Sequence, residues 1–360
     1  MTVRRSAVLL VAVATLLVGV LAGPALAHGR GSDATNFSSR ILSAPDLPGV
    51  SWRIYGGDEF LAVTNDSDIE LVVVGYNDEP YLRIGPEGVF ENRNSPATYT
   101  NSDRYGATAP PADIDPDGEP VWDQVGSGSS YAWHDHRVHW MSPLLPPTVT
   151  ANEGAETVVQ ERWSVPVRAG GDSAEVVGEL RWIPGPSPWP WLVGALVVTL
   201  PVLLGLRTEP TSEDRWPSLA RPAAVLVGLL AVANLTHLVD DLLAVPLPLG
   251  TTLLAASQSA LFIALAGFGA LRGWQAREGA FTALGVGSAA LLIGQGLLYL
   301  AVLTSSQTAS LFPHEMARAI VALSIVQALP VGLVAVIGTR RLLPPEEQAD
   351  LAAVDVEPAT

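Results

Sequence analysis

The chain changes character once, and abruptly, at Trp189. Between His28 and about Arg181 no apolar run approaches the roughly 20 residues that a bilayer crossing requires. After Trp189 five do, at about 189–206, 219–239, 248–271, 280–303 and 317–339. A chain divided in this way must fold in two solvents. The first half closes a core in water, while the second satisfies its backbone internally as helices. The overall charged fraction of 16% is low because the apolar residues are gathered into spans.

The ends follow from the same reasoning. Residues 1–27 read as a secretory signal, with Arg4 and Arg5 at the basic end, an apolar stretch from Ala7 to Leu21 and a small-x-small site at Ala25-Leu26-Ala27. Cleavage there makes His28 the first mature residue. Arg207, Arg215 and Arg221 lie between spans one and two, Arg272 and Arg277 between three and four, and Arg340 and Arg341 after five. The other two connections carry no arginine. The positive-inside rule then puts residues 28–188 outside the cell membrane and the acidic tail 342–360 in the cytoplasm, with the five-helix domain at 189–341.

Between Gly49 and Ile183 short strand-like runs alternate with turns. The pattern predicts strands at Ser51–Tyr55, Phe60–Thr64, Ile69–Tyr76, Tyr81–Ile84, Val89–Asn92, Tyr131–Met141, Val158–Pro166 and Ala174–Trp182, and no helix. Residues 102–129 read as loop. The expected fold is an all-β antiparallel sandwich ectodomain followed by an all-α five-helix transmembrane domain. Residues 28–188 hold 24 acids and 10 arginines, and the whole chain is −16, which argues against a nucleic-acid partner.

No cysteine occurs, so disulfides, thiolate metal sites and cysteine nucleophiles are excluded. The remaining ligands for a soft cation are imidazole and thioether. All six histidines, His28, His134, His136, His139, His237 and His314, fall on the expected outer side, as do Met141 and Met316. The densest group is Trp133-His134-Asp135-His136-Arg137-Val138-His139-Trp140-Met141. On a strand, alternation gives His134 and His136 one face and His139 and Met141 the other, with Asp135 and Arg137 as supporting or surface charges. His28 as a free N-terminus would add an amine and an imidazole. The competing reading leaves these rings bonded to backbone carbonyls as ordinary packing.

At the membrane boundary, spacings of three and four put Asn234, His237 and Asp241 on one helix face, with Asp240 flanking and His314 and Met316 opening span five. Gln258, Gln295, Ser324 and Gln327 lie deeper and suit bonds between helices. No continuous polar track crosses the membrane. Asp113, Asp115 and Asp117 match the start of a calcium loop, but Pro120 and Gln124 break the match further on. No nucleophile elbow, phosphate loop or dinucleotide fingerprint occurs, so no nucleotide partner and no enzyme activity is expected.

The blocks Glu79-Pro80-Tyr81-Leu82-Arg83-Ile84-Gly85-Pro86, Ser95-Pro96-Ala97-Thr98-Tyr99, Trp133–Met141 and Gly178–Pro188 resemble a group of uncharacterised exported membrane proteins of high-GC actinobacteria. That resemblance covers 28 to about 190 and implies a layout without an activity. The order of signal, β-domain and helices bearing outer His and Met is also similar to bacterial copper-resistance proteins that join a carrier domain to a permease, although the carrier's own Met and His pattern is absent. The expectation is a non-enzymatic protein that handles copper at His134 and His136, with His28, His139 and Met141 nearby, and passes it to His237 and His314. The alternatives are an envelope interaction or assembly module without metal, binding another envelope protein through 102–129, and a metalloenzyme using Asp135 as base.

Overall fold

The computed structural model describes residues 34–207, 215–245, 247 and 249–341. The signal segment, His28 and the acidic tail lie outside the described residues.

Ten antiparallel strands form two sheets. The larger runs β1 (Phe37–Ser43), β10 (Asp172–Trp182), β9 (Thr157–Ala169), β4 (Leu71–Val74), β5 (Pro80–Gly85), β6 (Gly88–Asn92) and β7 (Trp122–Gly126) in spatial order. The smaller is β2 (Val50–Tyr55), β3 (Phe60–Asn65) and β8 (Ser130–Trp133). Leu61, Val63 and Trp133 of the small sheet meet Val73, Leu82 and Val165 of the large one in a single core. Strands β1 and β7 were not foreseen. The first precedes Gly49, where the expected strand pattern begins, and the second falls in the stretch 102–129 read as loop, where only a five-residue run pairs with β6. Two short helices, α1 (Pro96–Thr100) and α2 (Pro147–Thr150), also depart from the helix-free expectation. Each has proline in its first turn, where a missing N–H costs nothing, and Ser95 caps α1 by accepting from the Ala97 N–H.

Strand β3 is apolar on both faces, and the packing gives the reason. Leu61 and Val63 point into the sandwich, while Phe60 and Ala62, with Ala132 of β8, pack against Val245 and Leu247 between spans two and three. The β-domain therefore sits on the helices. A second contact pairs Thr35 with Gln307 through two backbone hydrogen bonds of 3.0 and 2.9 Å, and the Ser306 N–H donates to Asn36 Oδ1 at 2.8 Å. Gly57, at φ +76, makes this approach possible, because a Cβ there would lie 2.7 Å from Gln307 Cβ.

Five helices are long and apolar enough to cross a membrane: Trp189–Leu206, Leu219–Leu243, Leu249–Gln275, Ala280–Leu297 and His314–Arg341. Four are interrupted, span one by passing into a 3-10 helix at Leu200. Span two breaks at Asn234, span four passes into a π-helical stretch at Leu291–Leu297, and span five breaks at Gln327.

Candidate functional site

Strand β8 ends at Trp133, so the segment expected to continue as strand to Met141 instead turns out of the sheet. The strand alternation expected for its histidines does not apply. The turn is held by Asp135, which is fully buried. It accepts from Trp133 Nε1 at 2.9 Å, from the Arg137 backbone N–H at 3.1 Å, and from Arg137 Nε and Nη2, each at 2.7 Å. Arg137 also donates to the Val74 carbonyl and lies over the Tyr76 ring. Burial alone would raise the Asp135 carboxyl, but the Arg137 guanidinium holds it below the usual carboxylate range. Asp135 and Arg137 are thus a buried pair and not surface charges. The capping of this loop leaves its backbone unable to pair as a ladder.

The loop packs its imidazoles against two segments that the sequence reading passed over, Asp58-Glu59 and Asp103-Arg104. His134 Nδ1 lies 3.1 Å from the Glu59 carbonyl and 3.3 Å from Glu59 Oε1, and its ring lies against Phe60. His136 Nε2 is 3.0 Å from the Asp103 carbonyl, and its ring stacks on Tyr76. Gly106, at φ +65, wraps this ring closely, since a Cβ there would lie 2.8 Å from His136 Cε1. His139 Nε2 is 2.8 Å from the Arg104 carbonyl and 3.0 Å from Met141 Sδ. The His136 and His139 ring centroids are 5.3 Å apart. His139 and Met141, expected together on the opposite face from His136, therefore lie on the same side as it.

A backbone carbonyl only accepts, so the ring nitrogen facing it carries the hydrogen. In the neutral rings of His134 and His139 that leaves the lone pair on Nε2 and on Nδ1 respectively. Burial holds His134 and His139 low, at about 4 and about 3, so both rings are neutral at physiological pH. Beneath them Arg104 forms ion pairs with Asp58, at 2.8 Å, and with Glu59. Burial pushes the Asp58 carboxyl up despite that partner. Asp58 Oδ1 and His139 Nδ1 are buried without a hydrogen-bond partner. Among the described residues, no group of three or more His, Asp or Glu is placed to hold a metal ion as it stands.

The blocks Glu79–Pro86 and Ser95–Tyr99 prove to be structural neighbours of this loop. The Ser95 hydroxyl donates to Glu79 Oε1, and the Tyr76 hydroxyl, which donates to Asn101 Oδ1 at the end of α1, accepts from the His136 N–H at 3.0 Å. Asp113, Asp115 and Asp117 are exposed. Asp115 uses its carboxylate to accept from the Asp117 N–H at 3.2 Å, which closes an Asx turn.

At the membrane boundary the expected grouping separates. His237 Nδ1 bonds Gln295 Oε1 at 2.8 Å, and Tyr299 stacks on its ring. Asp241 accepts from the Ser259 hydroxyl at 2.6 Å. Asp240 accepts from the Ser310 hydroxyl and the Leu311 N–H, at 2.7 and 2.9 Å, and so ties span two to the loop that touches the β-domain. The three share one helix, Leu235–Leu243, and part because each finds a different partner: Gln295 on span four, Ser259 on span three and Ser310 in the loop before span five. His314 and Met316, at the start of span five, are half-buried. Deeper in, Asn234 Nδ2 donates to Ser324 Oγ at 3.1 Å, and Ser288 Oγ donates to Gln327 Oε1 at 2.9 Å.

No family model matches this chain, and neither a curated protein nor a solved structure matches it.

Proposed function

We propose that this chain is a membrane-anchored protein that binds and handles copper outside the cell at the His134–Met141 loop. The observation that carries the reading is the uniform support of three imidazoles. Each gives one ring nitrogen to a main-chain carbonyl, of Glu59, Asp103 or Arg104, and turns the other away from it. Metal-binding histidines are oriented by that kind of partner. The Met141 thioether, a soft donor, lies 3.0 Å from His139 Nε2, on the side of the ring that faces the Arg104 carbonyl. The orientation belongs to the same proposal. The arginines between spans one and two, between three and four, and after five mark the cytoplasmic side, which leaves the β-domain and this loop outside, downstream of a cleaved signal. His28, mature N-terminal after cleavage, is a candidate further ligand, and His237 a candidate receiver.

The test is a titration of the purified full-length protein in detergent with Cu(I) and Cu(II) against a competing chelator. Submicromolar binding that is lost in a His136→Ala/His139→Ala variant supports the proposal. Binding indifferent to that change, or absent, ends it.

A second reading is an envelope interaction or assembly module without metal. It is favoured by the same carbonyl contacts taken as ordinary satisfaction of buried rings. Protein purified from cells free of metal, with a partner captured by cross-linking from β7 or its flanking loops, would support it.

A further inference from the structure

We propose that the groove between strands β7 and β8 and the start of span three holds the headgroup of a membrane lipid, and that this headgroup is an uncharged, sugar-bearing one. The inference is independent of the copper reading and of which way the chain faces, since it concerns the leaflet on the β-domain's side. The groove has a volume of about 480 Å³, within the roughly 300–1,000 Å³ of ligand sites. Sheet order produces it. Strand β7 ends the large sheet and β8 ends the small one, and although they follow each other in the chain they do not pair. Each therefore has one side without a neighbouring strand, where main-chain N–H and C=O groups are offered in turn. Val125 is also the extra residue of a bulge against β6, so it takes no place in that ladder.

The two walls differ in chemistry. On the β-domain side stand Gln124, Ser127 and Ser130. Two of them are held in place, since Gln124 Nε2 donates to the Glu87 carbonyl at 3.0 Å and the Ser130 and Thr64 hydroxyls share a hydrogen bond of 2.7 Å. On the other side are Leu247 and Leu249. Leu247 packs against Phe60 and Ala132, whereas Leu249 is 72% exposed, as are Leu253 one turn further on, at 53%, and Leu243 at the end of span two, at 67%. Exposed leucines at the ends of two spans face acyl chains. A lipid lying against them brings its headgroup onto the polar wall. A phosphate is disfavoured there, because none of the lining residues carries a positive charge and an unpaired anion leaving water is costly. Sugar hydroxyls both donate and accept, which matches amide, hydroxyl and strand-edge groups alike.

The experiment titrates the full-length protein in detergent with a glucosyl diacylglycerol and with phosphatidylglycerol of the same acyl chains, and counts bound lipid by native mass spectrometry. The expected result is an affinity for the glycolipid at least about tenfold above that for phosphatidylglycerol in the wild type. Ser127, exposed in the turn between β7 and β8, supplies two variants. Ser127→Trp, which fills the groove, should lose that preference, and Ser127→Arg, which adds a cation, should shift it toward phosphatidylglycerol. Equal affinity for the two lipids or preference for phosphatidylglycerol in the wild type overturns the inference, as does a glycolipid preference left unchanged in either variant. A peptide mass carried on the groove through purification also overturns it, and marks the free strand edges as a docking site for an extended chain instead. If a variant does not fold, as judged by circular dichroism, the wild-type preference between the two lipids decides.

Discussion

Asp135 shows how much one residue can determine. Its carboxylate ends β8, caps the following turn and holds Arg137, and the carboxylate itself is fully buried. Asp135→Asn leaves Arg137 buried and poorly paired, and breaking a buried pair in this way costs about 3–5 kcal/mol. Chemical denaturation followed by tryptophan fluorescence, to which Trp133 reports directly, checks this. A loss under about 1 kcal/mol, the scale of an exposed pair, would contradict it. The histidines predict a pH dependence. His134 and His139 are held low by burial, to about 4 and about 3, below the ordinary value of 6.5. As pH falls through 6.5 the unfolded chain takes up protons that the folded rings refuse. Their contribution is therefore complete above 6.5 and is lost progressively down to the folded values. Between pH 6.5 and 5 the metal-free protein should lose stability by about 1.4 kcal/mol per pH unit for each ring. A thermal midpoint that stays flat over that window refutes the assignment, and a His134→Gln/His139→Gln variant should flatten it.

Among the elements, long strands and spans were legible because their apolar pattern repeats over many residues. The limits of β8 were not. Tyr131–Met141 alternates well enough to read as strand, but alternation cannot report that Asp135 will find Trp133, Arg137 and the backbone within reach. Strand β7 was missed for the opposite reason, since Trp122–Gly126 is too short to stand out beside its prolines and acids. Close packing also gives the strands a test. Gly178 of β10 faces Trp163, and a Cβ there would lie 2.1 Å from Trp163 Cζ2 and 2.2 Å from the Arg40 carbonyl. Gly178→Ala should destabilise by about 1–3 kcal/mol through overpacking. Gly126→Ala, whose Cβ meets Val89 at an ordinary 3.6 Å, serves as the control and should change little. Equal midpoints in thermal unfolding would refute the contrast.

At the scale of the molecule, the two halves are joined by their loops. The segment around Ser305–Leu311 pairs with Thr35, bonds Asn36, touches Gly57 and is held by Asp240 and Arg318. The Asp58–Glu59 cluster adjoins this seam directly. Because the chain has no cysteine, its orientation can be read cleanly by single substitutions. In intact cells Ser127→Cys should react with a membrane-impermeant maleimide, whereas Glu278→Cys, between spans three and four, should react only after permeabilisation. The reverse pattern would invert the proposed topology and put the histidine loop in the cytoplasm.

The sequence by itself determined the division at Trp189, the five spans and the β-class of the first half, because hydrophobic burial and membrane partitioning are read from runs and periods along the chain. It also singled out the histidines and Met141, since few ligand types remain without cysteine. Only the tertiary structure decided which atoms meet. It drew in Asp58, Glu59, Asp103 and Arg104 from distant segments, moved His139 and Met141 beside His136, and sent His237 to Gln295. Those contacts depend on chain reversals fixed by a few short-range hydrogen bonds and on loops crossing from one domain to the other, and neither leaves a periodic trace in the sequence.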